Sequence, residues 1–199
     1  MNRAECLGEL VKWVDVNDPV VTSLSSNSAI WPTLREKGAN FYAWNMGLTV
    51  GFSVGLSFAF PKRKVIALDS DGSFMIDTSS VITMADANPT NLMVFVFDNE
   101  SYARMGPTFT SRRTDLEKMA QGAGIQKTAT IRTLEEFIKI VQPAVKEPGP
   151  HFFVVKVEAE TVRIKRDARV TSGRPMKEAF VNAVLQHPDY WGKKSGGSS

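Results

Sequence analysis

The sequence predicts a doubly wound α/β fold, a mostly parallel sheet with helices on both faces. Three observations point to it. The runs KVIALD at 64–69 and LMVFVFD at 92–98 are nearly continuous in apolar residues rather than alternating. Such runs mark strands covered on both faces, as in a parallel sheet. Helical patterns lie between and around the strand candidates, and that alternation gives parallel pairing with right-handed crossovers. With 199 residues, 43% of them apolar, the chain is sized for one compact domain. At that length it can bury roughly 70% of the surface its unfolded form exposes, without a disulfide or structural metal.

The elements are read in order. A helix is expected over 4–13 and a strand over 20–23. Residues 47–60, GLTVGFSVGLSFAF, read as a helix with Gly47, Gly51 and Gly55 four apart. Small residues at that spacing share one face and allow a neighbour to approach closely. A strand over 64–69, a helix over 78–87 and a strand over 92–98 follow. Asp115 is placed to cap a helix over 115–123. Thr133 and Glu136 form a capping box for a helix over 133–146. A strand over 152–158 and a helix over 175–185 complete the pattern. Residues 1–190 are expected to form a single domain, and 191–199, with KKSGGSS, a flexible tail.

Composition excludes several classes. Cys6 is the only cysteine, so no internal disulfide forms, and no Cys/His cluster exists for zinc or an iron–sulfur centre. The opening MNRAECLGELVKW is charged and lacks a signal-peptide core, and 47–60 is too short to span a bilayer. A cytoplasmic protein without a membrane partner is expected. Net charge is +3, from 24 basic and 21 acidic residues. Residues 161–177 concentrate six Lys or Arg against one Asp. A nucleic-acid surface is one reading of that stretch. No aromatic residue interleaves it, so a solvated or subunit-facing segment is preferred and no nucleic-acid partner is expected. Cys6 reads as a buried helix residue, and His151 and His187 as structural.

In a doubly wound sheet the ligand lies beyond the carboxyl ends of the strands. The strand at 64–69 runs into Ser70-Asp71-Gly72-Ser73, and the strand at 92–98 into Asn99-Glu100-Ser101-Tyr102. If these strands are parallel neighbours, Asp71 and Asn99 share one edge although they are 28 positions apart. A carboxylate, an amide oxygen and backbone carbonyls are hard ligands that suit Mg²⁺, which completes its shell with phosphate and water. Gly72 permits close backbone approach, and Ser73 with the following helix N-terminus offers donors to a phosphate. The same residues also suit two ordinary turns, and spacing alone leaves both readings open. Neither GxxxxGK[ST] nor a GxGxxG following a strand is present.

The stretch SDGSFMIDTSSVITMADANPTNLMVFVFDNESY resembles the cofactor motif of thiamine-diphosphate enzymes, a Gly-Asp-Gly followed some 25–30 residues later by Asn-Asn or Asp-Asn. The flanks are similar too. FYAWNMGLTVGFSVGLSFAFPKRKVIALD resembles the segment that runs beneath the thiazolium ring. TSLSSNSAIW resembles the diphosphate loop, and PTFTSRRTDLEKMAQGAGI the region after the Asn turn. The resemblance covers roughly 15–158 and leans toward the small β subunits of sulfopyruvate and phosphonopyruvate decarboxylases.

That resemblance implies roles. Asp71, Asn99 and the backbone carbonyl of Ser101 would ligate Mg²⁺. Ser25, Ser26, Asn27, Gly72 and Ser73 would contact the diphosphate of thiamine diphosphate. Met46 would prop the cofactor into its bent form, and the Trp44 carbonyl would accept from the aminopyrimidine. Tyr102, which with Ser101 is also expected to contact the cofactor, and Arg104 follow the metal turn and are candidate pocket residues, and Arg112 and Arg113 lie on a loop suited to an anionic substrate. The chemistry implied is decarboxylation of a small 2-oxo acid, with the cofactor as electron sink.

Two departures stand out. Ser70 replaces the first glycine of the motif, and Trp44 stands where the family often has glycine. The glutamate that activates the cofactor lies on a separate pyrimidine-binding domain in this family, and no glutamate here matches it. No catalytic residue is therefore assigned to this chain. A partner subunit is expected to supply the glutamate in an α₂β₂ or larger complex. A carboligase half-subunit of acetolactate-synthase type and a non-catalytic scaffold of the same fold are the alternatives.

Overall fold

The computed structural model describes residues 1–43, 45–102, 105–159, 170 and 173–185. Trp44, Arg104, His187, most of the basic stretch at 161–177 and the tail at 191–199 lie outside the described residues. Six strands form one sheet: β1 (Val20–Thr22), β2 (Asn40–Tyr42), β3 (Val65–Ser70), β4 (Leu92–Asp98), β5 (Lys127–Ile131) and β6 (His151–Lys156). Their order is β2-β1-β3-β4-β6-β5, and all five pairings are parallel. The helices are α1 (Arg3–Leu10), α2 (Ser26–Leu34), α3 (Thr49–Ala59), α4 (Asp71–Phe74), α5 (Ser79–Ala87), α6 (Leu116–Ala123), α7 (Leu134–Ala144) and α8 (Gly173–Leu185). Among the described residues no helix is long and apolar enough to cross a membrane.

The continuous apolar runs explain the layering. Along β4, Met93, Phe95 and Phe97 enter one core with Cys6 and Leu7 of α1, Trp31 of α2 and Phe137 of α7. Leu92, Val94 and Val96 enter the opposite core with Val50 and Val54 of α3, Met84 of α5, Ala120 of α6 and Phe180 of α8. Alternate side chains of one strand thus serve two cores, and each face needs its own helices. Cys6 is fully buried, and burial pushes its thiol up to about 11.

Besides the four-residue α4, three elements were not expected. β2 is three residues long, too short to set a strand pattern of its own. Asn40 holds this edge: its side-chain oxygen accepts from Trp31 Nε1 and Arg35 Nη1, both at 2.9 Å. β5 is a polar edge strand whose Thr128 and Thr130 hydroxyls donate to Glu117 of α6 at 3.1 and 2.5 Å. α2 contains Pro32, which masks its helical pattern in the sequence, and buries Trp31 completely. The predicted caps of α6 and α7 are present, with Asp115 accepting from Lys118 N–H and Thr133 closing a capping box with Glu136.

The predicted helix at 47–60 begins two residues late, because Gly47 adopts a positive φ of 84°. Of its small-residue stripe only Gly47 meets a close neighbour among the described residues, the Ile76 side chain, which a Cβ there would meet at 3.0 Å. Gly51 and Gly55 are exposed, and a Cβ at Gly55 would meet no atom within 4 Å.

His151 opens β6 at the amino edge of the sheet. It is 2% exposed, and neither ring nitrogen has a hydrogen-bond partner among the described residues. Burial, with the positive charges of Lys64 and Lys127 nearby, pushes its pKa from 6.5 down to about 4. Between those values the unfolded chain binds a proton that the folded chain refuses, so folding is penalised by acid there. The stability of the wild type relative to His151→Phe is therefore expected to be full above pH 6.5 and to fall as pH drops toward 4. Urea denaturation of both proteins across that range checks it.

Candidate functional site

The chain leaves β1 for α2 on one face of the sheet and leaves β3 for α4 and α5 on the other. Successive segments diverge at the carboxyl ends of these two neighbouring strands. Such a divergence opens a crevice at the sheet edge, where doubly wound folds bind ligands. On the β1 side, Ser25 caps α2: its hydroxyl accepts from Asn27 N–H at 3.2 Å and shares a hydrogen bond with Ser23 Oγ at 2.9 Å. Ser26 begins the helix, and its half-buried backbone faces the N-terminal end where N–H groups lack intrahelical partners. Asn27 is fully buried, and its amide donates to the carbonyls of Leu68 and Asp69 at 3.1 and 2.8 Å. Its side chain therefore ties α2 to β3. Its N–H is also taken, by the Ser25 hydroxyl.

β3 and β4 are in register up to Ser70 opposite Phe97, which puts Asp71 beside Asp98 and Asn99 one residue beyond. Asp71 and Asp98 are each 1% exposed. Two buried carboxylates side by side need compensation. The segment after the Asn turn supplies it. Ser101 pairs with Pro107, and Thr108 N–H donates to the Glu100 carbonyl at 3.0 Å, so the chain returns Thr108 and Thr110 to the strand ends. Thr108 Oγ1 donates to Asp71 Oδ2 at 2.6 Å, and Thr110 Oγ1 donates to Asp98 Oδ1 at 2.8 Å. Lys156, at the end of β6, lies 2.7 Å from Asp98 and 2.8 Å from Glu100. Asp98 thus has a cation of its own, whereas Asp71 has hydroxyls. Burial pushes the Asp71 carboxyl up to about 6, the Asp98 charge adds to that, and the Thr108 hydrogen bond opposes it. Asn99 Oδ1 accepts from Ser101 N–H at 3.1 Å, which fixes the turn with Glu100 at a φ of 58°.

A third buried carboxylate sits under this edge. Asp69 is pushed up to about 6 by burial, against hydrogen bonds from Ser73, the Ser70 N–H and Ser23. Ser73 Oγ also accepts from Gly47 N–H at 3.0 Å, which anchors the turn carrying half-buried Met46. The Ser73 hydroxyl is fully committed within the protein, so the group it leaves for a phosphate is its backbone. Gly72 is the close-approach position the sequence suggested, and the group it admits here is Tyr102. A Cβ at Gly72 would meet the Tyr102 ring at 2.6 Å.

The match to known proteins follows this geometry. Residues 25–155 match the family model described as thiamine pyrophosphate enzyme, C-terminal TPP binding domain. The chain belongs to the thiamine pyrophosphate enzyme family. Among family members, it is 31% identical to the sulfopyruvate decarboxylase subunit beta of Methanocaldococcus jannaschii over 157 residues, covering 77% of this chain and 82% of that one. It is 26% identical to the subunit of the same name in Methanococcus maripaludis over 186 residues, covering 92% of this chain and 98% of that one. The solved structure of benzoylformate decarboxylase from Polynucleobacter necessarius shares the fold with a TM-score of 0.68 at 18% identity, covering 84% of this chain and 34% of that one.

The residues present fit the family's cofactor. A buried carboxylate without a cation of its own among the described residues, an amide turn one strand over and a helix N-terminus at the crevice form a donor set for a divalent cation and a diphosphate. The structure brings together Ser25, Ser26, Asn27, Asp71, Gly72 and Ser73 around the β1 and β3 ends, with Asn99, Ser101 and Tyr102 beside them. Arg112 and Arg113 are exposed just past the turn at Phe109–Ser111. The sequence reading missed Asp69, Asp98, Thr108, Thr110 and Lys156. The signal for the first two was in the strand-end acids DSD and DNE, but hydroxyls that reach back from a loop leave no spacing pattern.

Gly72→Ala is expected to destabilise the protein by about 1–3 kcal/mol through this overlap. Tyr102→Ala in the same chain should restore most of the loss, and a double-mutant cycle in urea measures the coupling.

Proposed function

We propose that this chain is the thiamine-diphosphate- and Mg²⁺-binding β subunit of a heteromeric decarboxylase for a small anionic 2-oxo acid of the sulfopyruvate or phosphonopyruvate class. The observation that carries the reading is coverage. The chain accounts for 82% and 98% of two subunits named sulfopyruvate decarboxylase beta, yet for 38% of the phosphonopyruvate decarboxylase of Streptomyces viridochromogenes. Those two relatives are named as subunits, which supports a site shared with a second polypeptide.

Each residue then has a task. Asp71, the Asn99 side-chain oxygen and the Ser101 carbonyl hold the cation, while Thr108 and Thr110 orient the carboxylates behind it. The first turn of α2 and the backbone of Gly72 and Ser73 receive the diphosphate. Met46, anchored through Gly47 to Ser73, would pack against the cofactor when it is bound. Lys156 keeps Asp98 paired, so the cation selects Asp71. Tyr102, Arg112 and Arg113 face the substrate side, where guanidinium groups suit a sulfonate or phosphonate. When bound, thiamine diphosphate supplies the electron sink for loss of CO₂. The glutamate that activates it comes from an α-type subunit carrying the pyrimidine-binding domain.

The test is a substrate panel applied to the complex recovered with the tagged chain. The expected result is CO₂ and aldehyde from sulfopyruvate or phosphonopyruvate, abolished by chelation of Mg²⁺. A longer product that requires an acceptor would replace this reading with a carboligase. Asp71→Ala should weaken retention of cofactor by about 10–100-fold or more, on the scale of lost metal-site contacts. Unchanged retention would make the chain a scaffold that keeps the fold.

A further inference from the structure

Arg3 sits in the first turn of α1, ahead of residues 25–155 that carry the family match. It is only 4% exposed. Its guanidinium lies over the Phe97 ring, 5.3 Å from the centroid, and its Nη1 donates to Asn27 Oδ1 at 2.9 Å. Phe97 immediately precedes Asp98 on β4, and Asn27 is the second residue of α2. A helix outside the matched segment therefore delivers a buried cation to the carboxyl edge of the sheet. The contact also fixes Asn27. With Oδ1 taken by Arg3, the amide nitrogen is directed to Leu68 and Asp69 at 3.1 and 2.8 Å. α1 is itself set in place by Asn2, whose side chain accepts from Ala4 N–H at 2.7 Å.

We propose that Arg3 is a positioning residue for the diphosphate of the cofactor, an inference that rests on the reading above. Two effects act in the same direction. Through Asn27, Arg3 locks the first turn of α2 to the end of β3, so its N–H groups keep one orientation toward the crevice. Its positive charge stands behind the helix end whose dipole already favours an anion. Buried charges are screened far less by salt than exposed ones, so this contribution persists at physiological ionic strength. Arg3 acts on the phosphate end of the ligand and touches none of the reacting atoms.

The experiment uses the complex recovered with wild-type, Arg3→Met and Arg3→Lys chains, stripped of cofactor. Thiamine diphosphate and inorganic pyrophosphate, each with Mg²⁺, are titrated by calorimetry, and ligand-free melting is recorded beside them. Arg3→Met is expected to bind both ligands about tenfold more weakly, and by the same factor, since both present the same anionic group. Arg3→Lys, which keeps the charge and a donor for Asn27, should stay within about threefold of wild type. Should Arg3→Met fail to fold, Arg3→Gln, uncharged but still a donor, is compared with Arg3→Lys and is expected to bind more weakly. Wild-type affinity in Arg3→Met, or a lower melting temperature with affinity intact, would overturn the inference alone. A wild-type complex that binds neither ligand would overturn the reading on which it rests, and the inference with it.

Discussion

Three carboxylates, Asp69, Asp71 and Asp98, are buried at the carboxyl ends of two neighbouring strands, each 1% exposed. Removing a carboxylate from water is costly unless hydrogen bonds or an opposite charge replace the lost hydration. Much of the local architecture follows from that requirement. Asp69 draws in the hydroxyls of Ser23 and Ser73 and the Ser70 N–H. Asp98 takes Thr110 and Lys156. Asp71 takes the Thr108 hydroxyl and, among the described residues, no cation; unlike Asp69 it lies beyond the end of β3, so it is the member of the three placed to receive one.

The same hydrogen bonds join loops that are distant in sequence. Ser23 leads through Ser25 to the cap of α2, and Ser73 leads through Gly47 to the turn that carries Met46. Three loops, from β1, β2 and β3, are thereby fixed to one buried acid. The parallel sheet makes this possible, because every strand delivers its following loop to one edge. Hydroxyls suit this role well. Each donates to a carboxylate and still accepts from a backbone N–H, as Ser73 does. The edge is held by the protein's own hydrogen bonds, which lowers the ordering cost of binding a ligand. On its far side, Leu48, Ile76, Met105 and Phe109 are all more than half exposed, an unusual exposure for large apolar side chains at the mouth of a site. That surface agrees with an edge completed by another polypeptide.

Much of this was legible in the sequence, and the limits have physical causes. The central strands were visible because burial on both faces demands unbroken apolar runs, as in LMVFVFD. The caps at Asp115 and Thr133 were visible because capping is local chemistry at fixed offsets. β2 escaped because three residues set no pattern, β5 because an edge strand need not be apolar, and α2 because Pro32 interrupts its pattern. At the site, Asp71, Gly72 and Asn99 were legible from the strand-end turns and the family motif they resemble. Thr108, Thr110 and Lys156 were not, because their role depends on a loop and a strand returning to the same edge. The side chains of Ser73 and Asn27 also hold neighbouring loops, an allocation that only the three-dimensional arrangement reveals.

The account depends on one claim above the others, that the edge between β3 and β4 is a cation site. A crystal of the complex grown with thiamine diphosphate and Mn²⁺ in place of Mg²⁺ tests it most directly, through the anomalous signal of the metal. The account predicts one peak at this edge, bounded by the Asp71 carboxylate, the Asn99 side-chain oxygen and the Ser101 carbonyl, with metal–oxygen distances of roughly 2.0–2.3 Å. A peak elsewhere, or none while Thr108 remains bonded to Asp71, would contradict it.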